Sequence, residues 1–155
     1  MTQLTAGMPA PQFEGTDQNG NTVKLSSFTG KKIVLYFYPK DDTPGCTAEA
    51  CSLRDNYEEL LRKGFVVLGV SPDSEKSHLK FAGKYNLPFP LITDPEKKIM
   101  NAYGAYGEKV MYGKKVTGVI RTTFVIDEKG VIEKVVKKVD TKDHANQIFK
   151  MYDNV

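Results

Sequence analysis

Three stretches of this chain, Ile33 to Tyr38, Phe65 to Val70 and Phe89 to Ile92, contain no charged residue. A strand with one face in water alternates apolar and polar side chains, whereas an unbroken run suits a strand covered on both faces, as in the middle of a parallel sheet. Parallel neighbours need a long crossover, usually a helix. The intervening segments supply two. A helix over Thr47 to Arg62 is marked by Cys46, Ala50, Leu53, Tyr57, Leu60 and Leu61 at helical spacing, and one over Ser74 to Tyr85 by Leu79, Phe81, Ala82 and Tyr85. The middle of the chain therefore reads βαβαβ.

The flanks complete the layout. Asn19-Gly20 between Phe13-Glu14-Gly15 and Thr22-Val23-Lys24-Leu25 is a short-range hairpin signal, so a small β element opens the chain. Pro95 to Tyr103 reads as a short helix, and Gly104 to Gly118 as a loop with some β character, long enough to hint at function. Thr122 to Ile126 and Val131 to Val139 flank the turn Asp127-Glu128-Lys129-Gly130 as an antiparallel pair, and Thr141 to Tyr152 closes the chain as a helix with Ala145, Ile148, Phe149 and Tyr152 on one face. The prediction is an α/β chain with a mixed central sheet, helices on both faces and an N-terminal β-hairpin. That order resembles a thioredoxin-like fold. With no internal repeat or linker, residues 1–155 read as a single domain.

Composition narrows the function. Lys plus Arg number 22 against 19 Asp plus Glu, a surplus of +3 spread over pairs such as Lys31-Lys32 and Lys137-Lys138, which does not indicate a nucleic-acid partner. No apolar run approaches the roughly 20 residues that span a bilayer. Met1 to Gly7 carries neither a basic nor an apolar signal region, so the expectation is a cytoplasmic protein without membrane association. In that reducing compartment a lone close pair of cysteines, here Cys46 and Cys51, is rarely scaffolding, and their chemistry becomes the question.

Cys46 lies in the segment from Pro39 to Cys51, which joins the end of the first central strand to the first long helix. Ligands of open α/β sheets gather at such strand ends. Thr43 followed by Pro44 forms an N-cap and N1 pair, which puts Cys46 at the third helical position. There free amides and the positive end of the helix dipole favour a thiolate over a thiol. Cys51, five residues on, stands roughly 140° around the helix and about 8.7 Å away between Cα atoms. A disulfide needs Cα atoms within about 7 Å, so pairing the two requires the first turns of the helix to unwind.

The pattern Pro-x-x-x-Thr-x-x-Cys is met by Pro39, Thr43 and Cys46, a distant arginine by Arg121 in Arg121-Thr122-Thr123-Phe124-Val125-Ile126-Asp127, and a second cysteine follows the first by five residues. Together with Pro44-Gly45-Cys46-Thr47, Gly113-Lys114-Lys115 and the opening Gly7-Met8-Pro9-Ala10-Pro11-Gln12-Phe13, this resembles the peroxiredoxins, specifically the bacterioferritin comigratory protein or peroxiredoxin Q subfamily. The resemblance implies a thiol-dependent peroxidase. Cys46 would attack a hydroperoxide and become a sulfenic acid, Cys51 would condense with it to a disulfide, and a thioredoxin-like protein would return the electrons. It further implies no metal, haem or flavin cofactor, and a monomer or weak dimer.

Acidity alone does not explain such chemistry. Lowering a cysteine pKa from about 8.5 to about 6 raises the thiolate fraction at pH 7 roughly thirtyfold, while a Brønsted slope of about 0.4–0.5 removes roughly tenfold in nucleophilicity. The site must also stabilise charge on the departing oxygen. Arg121, the Thr43 hydroxyl and the amides of Gly45 and Cys46 are the candidates, with Pro39 shielding the sulfur and Glu49 orienting Arg121.

Blander readings stand beside this one. The cysteines could be small core residues, Arg121 a surface arginine, and Thr43, Pro44 and Pro39 mere caps and strand ends. A zinc site of Cys46, Cys51, His78 and His144 has poor histidine spacing, and a cysteine hydrolase would need a histidine beside Cys46, whereas both histidines read as surface residues. Tyr103, Tyr106 and Tyr112, near the long loop, read as packing, with the lining of a peroxide or partner surface as the alternative. The functional rivals are a thiol-disulfide oxidoreductase, which would normally carry Cys-x-x-Cys where this chain has Cys46-Thr47-Ala48-Glu49, and a redox-switched binding module.

Overall fold

The computed structural model describes residues 4–153. Its strands are β1 (Glu14–Thr16), β2 (Thr22–Lys24), β3 (Lys32–Phe37), β4 (Phe65–Ser71), β5 (Leu91–Thr93), β6 (Tyr106–Met111), β7 (Lys114–Val119), β8 (Thr122–Ile126) and β9 (Ile132–Val136). Its α-helices are α1 (Pro44–Asp55), α2 (Tyr57–Arg62), α3 (Glu75–Tyr85), α4 (Lys98–Ala102) and α5 (His144–Asp153). Seven strands form one sheet in the order β2-β1-β5-β4-β3-β8-β9. The charge-free runs sit at its centre, with β3, β4 and β5 parallel as their composition requires. β8 runs antiparallel to β3 and β9 to β8, while β1 pairs antiparallel with β2 and β5.

Alternation along β3 divides the core. Ile33, Leu35 and Phe37 face one side with Leu68, Ile92, Met100, Tyr103 and Phe124, under α4 and the N-terminal segment. Val34 and Tyr36 face the other, where Cys46, Ala50 and Leu53 of α1, Phe81 of α3 and Ala145 and Ile148 of α5 cover them. This is the thioredoxin-like arrangement, with helices on both faces of a mixed sheet.

Three local departures from the pattern have identifiable causes. The expected helix over Thr47 to Arg62 is two helices, because Asn56 donates its side-chain amide to the Ser52 carbonyl at 2.8 Å and leaves helical geometry. The short helix begins at Lys98, not Pro95, because the Asp94 carboxylate accepts from the Ile99 and Met100 amides at 3.2 and 2.9 Å and so caps its start. Gly104 to Gly118 is largely the hairpin β6–β7, turned by Tyr112 and Gly113, both at positive φ. That turn type usually announces itself as Asn-Gly, which Tyr-Gly does not. Among the described residues no helix is long and apolar enough to cross a membrane.

Candidate active site

The antiparallel register of β3 and β8 builds the site. Phe37, the last residue of β3, lies opposite Thr122, the first of β8. Arg121, immediately before β8, is thereby delivered to the point where the chain leaves β3 for α1. That exit turns sharply at Asp42, which has a φ of 58°, and reaches α1 through an extended Thr43 and Pro44 at the first helical turn. Cys46 is the third residue of the helix, as its spacing predicts.

Thr43 occupies the cap position but does not cap. Its hydroxyl donates to the Lys40 carbonyl at 2.9 Å, closing the turn instead. The first amide to enter the helix ladder is that of Thr47, on the Thr43 carbonyl. The Gly45 and Cys46 amides therefore precede the ladder and have no carbonyl behind them in the helix.

Arg121 forks across the helix face. One terminal nitrogen, Nη2, lies 3.2 Å from Cys46 Sγ and the other, Nη1, donates to Glu49 Oε1 at 2.6 Å. Gly45 eases the approach, since a Cβ there would stand a tight 3.3 Å from Nη2. Cys46 is buried, but its sulfur has a charged neighbour, the guanidinium of Arg121, a side chain that keeps 23% of its surface exposed. Burial works against the charge of Arg121, and the Glu49 carboxylate and Cys46 sulfur outweigh it, so the guanidinium is held above its ordinary pKa.

Glu49 lies three residues after Cys46 and one before Ala50, on the inward stripe of α1 that Leu53 continues. Its side chain is wholly buried. Burial, opposed by Arg121, pushes its carboxyl from 4.5 up to about 7. Charging such a group destabilises the fold by roughly 3 kcal/mol. The stabilising contribution is complete below the unfolded-state pKa of 4.5 and is lost as pH rises through about 7. Urea unfolding of wild type and Glu49→Gln should therefore diverge, wild type losing roughly 3 kcal/mol relative to the variant between about pH 4 and pH 8. Parallel stability curves would refute the assignment.

The family model for the AhpC/TSA family matches residues 6–135. The chain belongs to the AhpC/TSA family. The protein named peroxiredoxin Bcp of Bacillus subtilis is 49% identical over 142 residues, covering 92% of this chain and 90% of its own. The bacterioferritin comigratory protein of Xanthomonas campestris superposes with a TM-score of 0.84 at 35% identity, over 90% of this chain and 88% of that one. A PrxQ variant of Xylella fastidiosa superposes with a TM-score of 0.90 at 30% identity, over 98% and 97%.

In this AhpC/TSA protein the second cysteine is not beside the first. Both are free thiols on one unbroken helix, Cys46 buried and Cys51 half-buried. Pro39 and Thr43 stand half-buried on the loop ahead of Cys46, and among the described residues neither makes a polar contact to its sulfur.

The histidines overturn the surface reading, since both are fully buried. His144 opens α5 and lies near Glu49, with Nε2 3.6 Å from Oε2. His78, on α3, places Nδ1 2.7 Å from Asp41 Oδ2 and Nε2 3.1 Å from the Ile92 carbonyl. Asp41 also accepts from the Tyr38 and Ser77 hydroxyls, and its amide donates to Asp73. Asp41, Asp73 and His78 cluster within 4.8 Å, as ligands of a cation would. Their facing atoms are instead committed to each other and to Ser71 and Ser77. The cluster straps the Cys46 loop to α3. The signal for both histidines was their spacing. His78 stands three and four residues before Phe81 and Ala82, and His144 four before Ile148, each on its helix's apolar stripe.

Proposed function

We propose that this chain is a thiol peroxidase that reduces hydrogen peroxide and organic hydroperoxides, with Cys46 as the peroxidatic and Cys51 as the resolving sulfur. The observation that carries this reading is the guanidinium of Arg121, one nitrogen on the Cys46 sulfur and the other on a buried carboxyl. The thiolate attacks one peroxide oxygen, and the S–O bond forms as the O–O bond breaks. Sulfur is oxidised to a sulfenic acid, and the departing oxygen takes the electron pair of the O–O bond and the proton the thiol gave up on ionising, to leave as water or an alcohol. Arg121 and the unpaired amides at the head of α1 supply fixed donors where that oxygen gains charge. The Thr43 hydroxyl, its own proton directed to Lys40, offers lone pairs to a peroxide O–H.

Cys51 then displaces water from the sulfenic acid to form a disulfide, the usual fate of such an acid near a thiol. On an intact helix the two sulfurs stand too far apart, so α1 must unwind between them. A thioredoxin-like dithiol reduces that disulfide and resets the helix. The relationship to the Xanthomonas campestris protein, described through its alkyl peroxide reduction, supports organic hydroperoxides as substrates.

Stopped-flow mixing of the reduced protein with a slight excess of hydrogen peroxide tests the assignment. Wild type should lose two thiols in a fast phase, Cys46→Ser none, and Cys51→Ser should stop at a sulfenic acid that a dimedone-type reagent captures. Slow thiol loss in all three proteins would point instead to the oxidoreductase or the redox-switched module.

A further inference from the structure

The β6–β7 ribbon takes no part in the chemistry above and pairs with no strand of the main sheet. Its base is rooted in the fold. Val119 is buried in the core, Tyr106 packs against the same cluster, and Lys109 folds back over Gly118 to donate to the Val119 carbonyl at 2.6 Å. Beyond that point the ribbon is bare. Six large apolar side chains are exposed among the described residues, and four of them, Val110, Met111, Tyr112 and Val116, lie here, Val110 at 71% and Tyr112 at 97% exposure. A single exposed apolar residue is ordinary, whereas a cluster marks a contact surface.

The distribution of these side chains selects the partner. The register pairs Val110 with Lys115, Met111 with Lys114 and Lys109 with Val116. Cross-strand partners share a face, and successive residues along a strand take opposite faces. Val110 and Lys115 therefore stand on one face, Met111, Val116 and Lys114 on the other, and Tyr112 at the tip between them. A protein seated on such a ribbon covers one face and leaves the other in water. A lipid interface surrounds an inserted tip, accepts apolar groups from both faces and, where its headgroups are anionic, attracts the lysines beside them. Glu108, the sole acid on the ribbon, lies farther from the tip than either Lys114 or Lys115.

The turn itself favours contact over folding. Tyr112 has a φ of 53° and Gly113 a φ of 78°, the left-handed pair that Asn-Gly adopts with least strain. A bulky residue is an outlier there, and at its exposure Tyr112 gains nothing from packing within the chain. Tyrosine is a residue of membrane–water boundaries, where its ring meets apolar surroundings and its hydroxyl stays wet.

We propose that the β6–β7 ribbon is a membrane-docking arm: Val110, Met111 and Tyr112 enter the interface of an anionic bilayer, and Lys114 and Lys115 pair with its headgroups. The arm lies in the interface without crossing it, so it needs no spanning run, and the expectation of a chain without membrane association considered spanning runs alone. A second copy of the chain fits less well, because it would set lysines against lysines. The arm is rooted at the end of the sheet that carries Cys46, since β7 stops two residues before Arg121.

The test needs no peroxide, so it stands apart from the peroxidase reading. The chain contains no tryptophan, and Tyr112→Trp therefore supplies a single reporter at the tip. Its emission should shift to the blue on mixing with vesicles of equal parts phosphatidylcholine and phosphatidylserine, less so with phosphatidylcholine alone, and the shift should shrink as salt is raised. Co-sedimentation with the mixed vesicles should show wild-type binding that Lys114→Gln with Lys115→Gln weakens about 25-fold, at roughly fivefold for each lysine. Tyr112→Asn restores the favoured turn, so it should weaken binding about tenfold while leaving the unfolding midpoint undiminished.

All of these variants should keep the wild-type rate of Cys46 oxidation by hydrogen peroxide. Tryptophan emission indifferent to both kinds of vesicle, co-sedimentation unchanged by the lysine substitutions, or binding unaltered in Tyr112→Asn would each overturn the proposal. So would absence of vesicle binding together with slower reduction of the oxidised variants by a thioredoxin-like protein, which would make the ribbon a protein-docking arm.

Discussion

Replacing Arg121 with methionine should slow oxidation of Cys46 by hydrogen peroxide by about 10²–10³-fold, the usual effect of removing a fixed donor from a developing oxyanion. Methionine keeps most of the arginine's length and removes both polar contacts, to Cys46 Sγ at 3.2 Å and to Glu49 Oε1 at 2.6 Å. Lysine should recover only part of the loss, since a single ammonium is a point charge and does not span the sulfur and carboxyl as a planar fork does. The check is the second-order rate constant for single-turnover thiol loss, with far-ultraviolet circular dichroism confirming the fold. A loss below about tenfold in the methionine variant would mean that the guanidinium is not where charge develops.

The second large effect is on stability. Asp41→Ala should lower the unfolding free energy by about 3–5 kcal/mol, because it leaves the Tyr38 hydroxyl, the His78 ring and the Ser77 hydroxyl without their acceptor, at about 1–3 kcal/mol for each such group. At this chain length that corresponds to a fall in Tm of roughly 6–20 °C. Asp41 Oδ1 accepts from Tyr38, and Oδ2 from Ser77 and from the buried His78 ring. None of these donors has water to fall back on except at Ser77, which is half-buried. Asp41→Asn should remain destabilised, because one side-chain amide cannot accept on both sides. Differential scanning calorimetry of the reduced protein measures this, and a change under about 1 kcal/mol would show that the strap is dispensable.

How far the sequence could be read depended on whether a residue's role was written in its own neighbourhood. The central strands announced themselves because burial on both faces excludes charge over a whole run. Cys46 was placed at the third helical position because Thr43-Pro44 marks a helix start by local sterics. The β6–β7 hairpin was underread because Tyr112-Gly113 adopts the required positive φ values without the usual residues. Glu49 sat on the same stripe as Cys46 and Ala50, but its burial was not inferred, because a carboxylate inside a helix face is costly unless something distant neutralises it.

That distant group explains the division between the two levels. By its own periodicity, spacing and helix-start chemistry, the chain determines a mixed sheet, a cysteine at a helix mouth and a second thiol out of reach on the same helix. Only tertiary structure decides that Arg121, 75 residues away, meets that sulfur, because the meeting depends on β8 lying antiparallel to β3 in one register. The same holds for His78 and His144, whose partners arrive from other elements. Hydrogen bonds between distant segments leave no local pattern, since each end needs only a polar residue and the fold supplies the other.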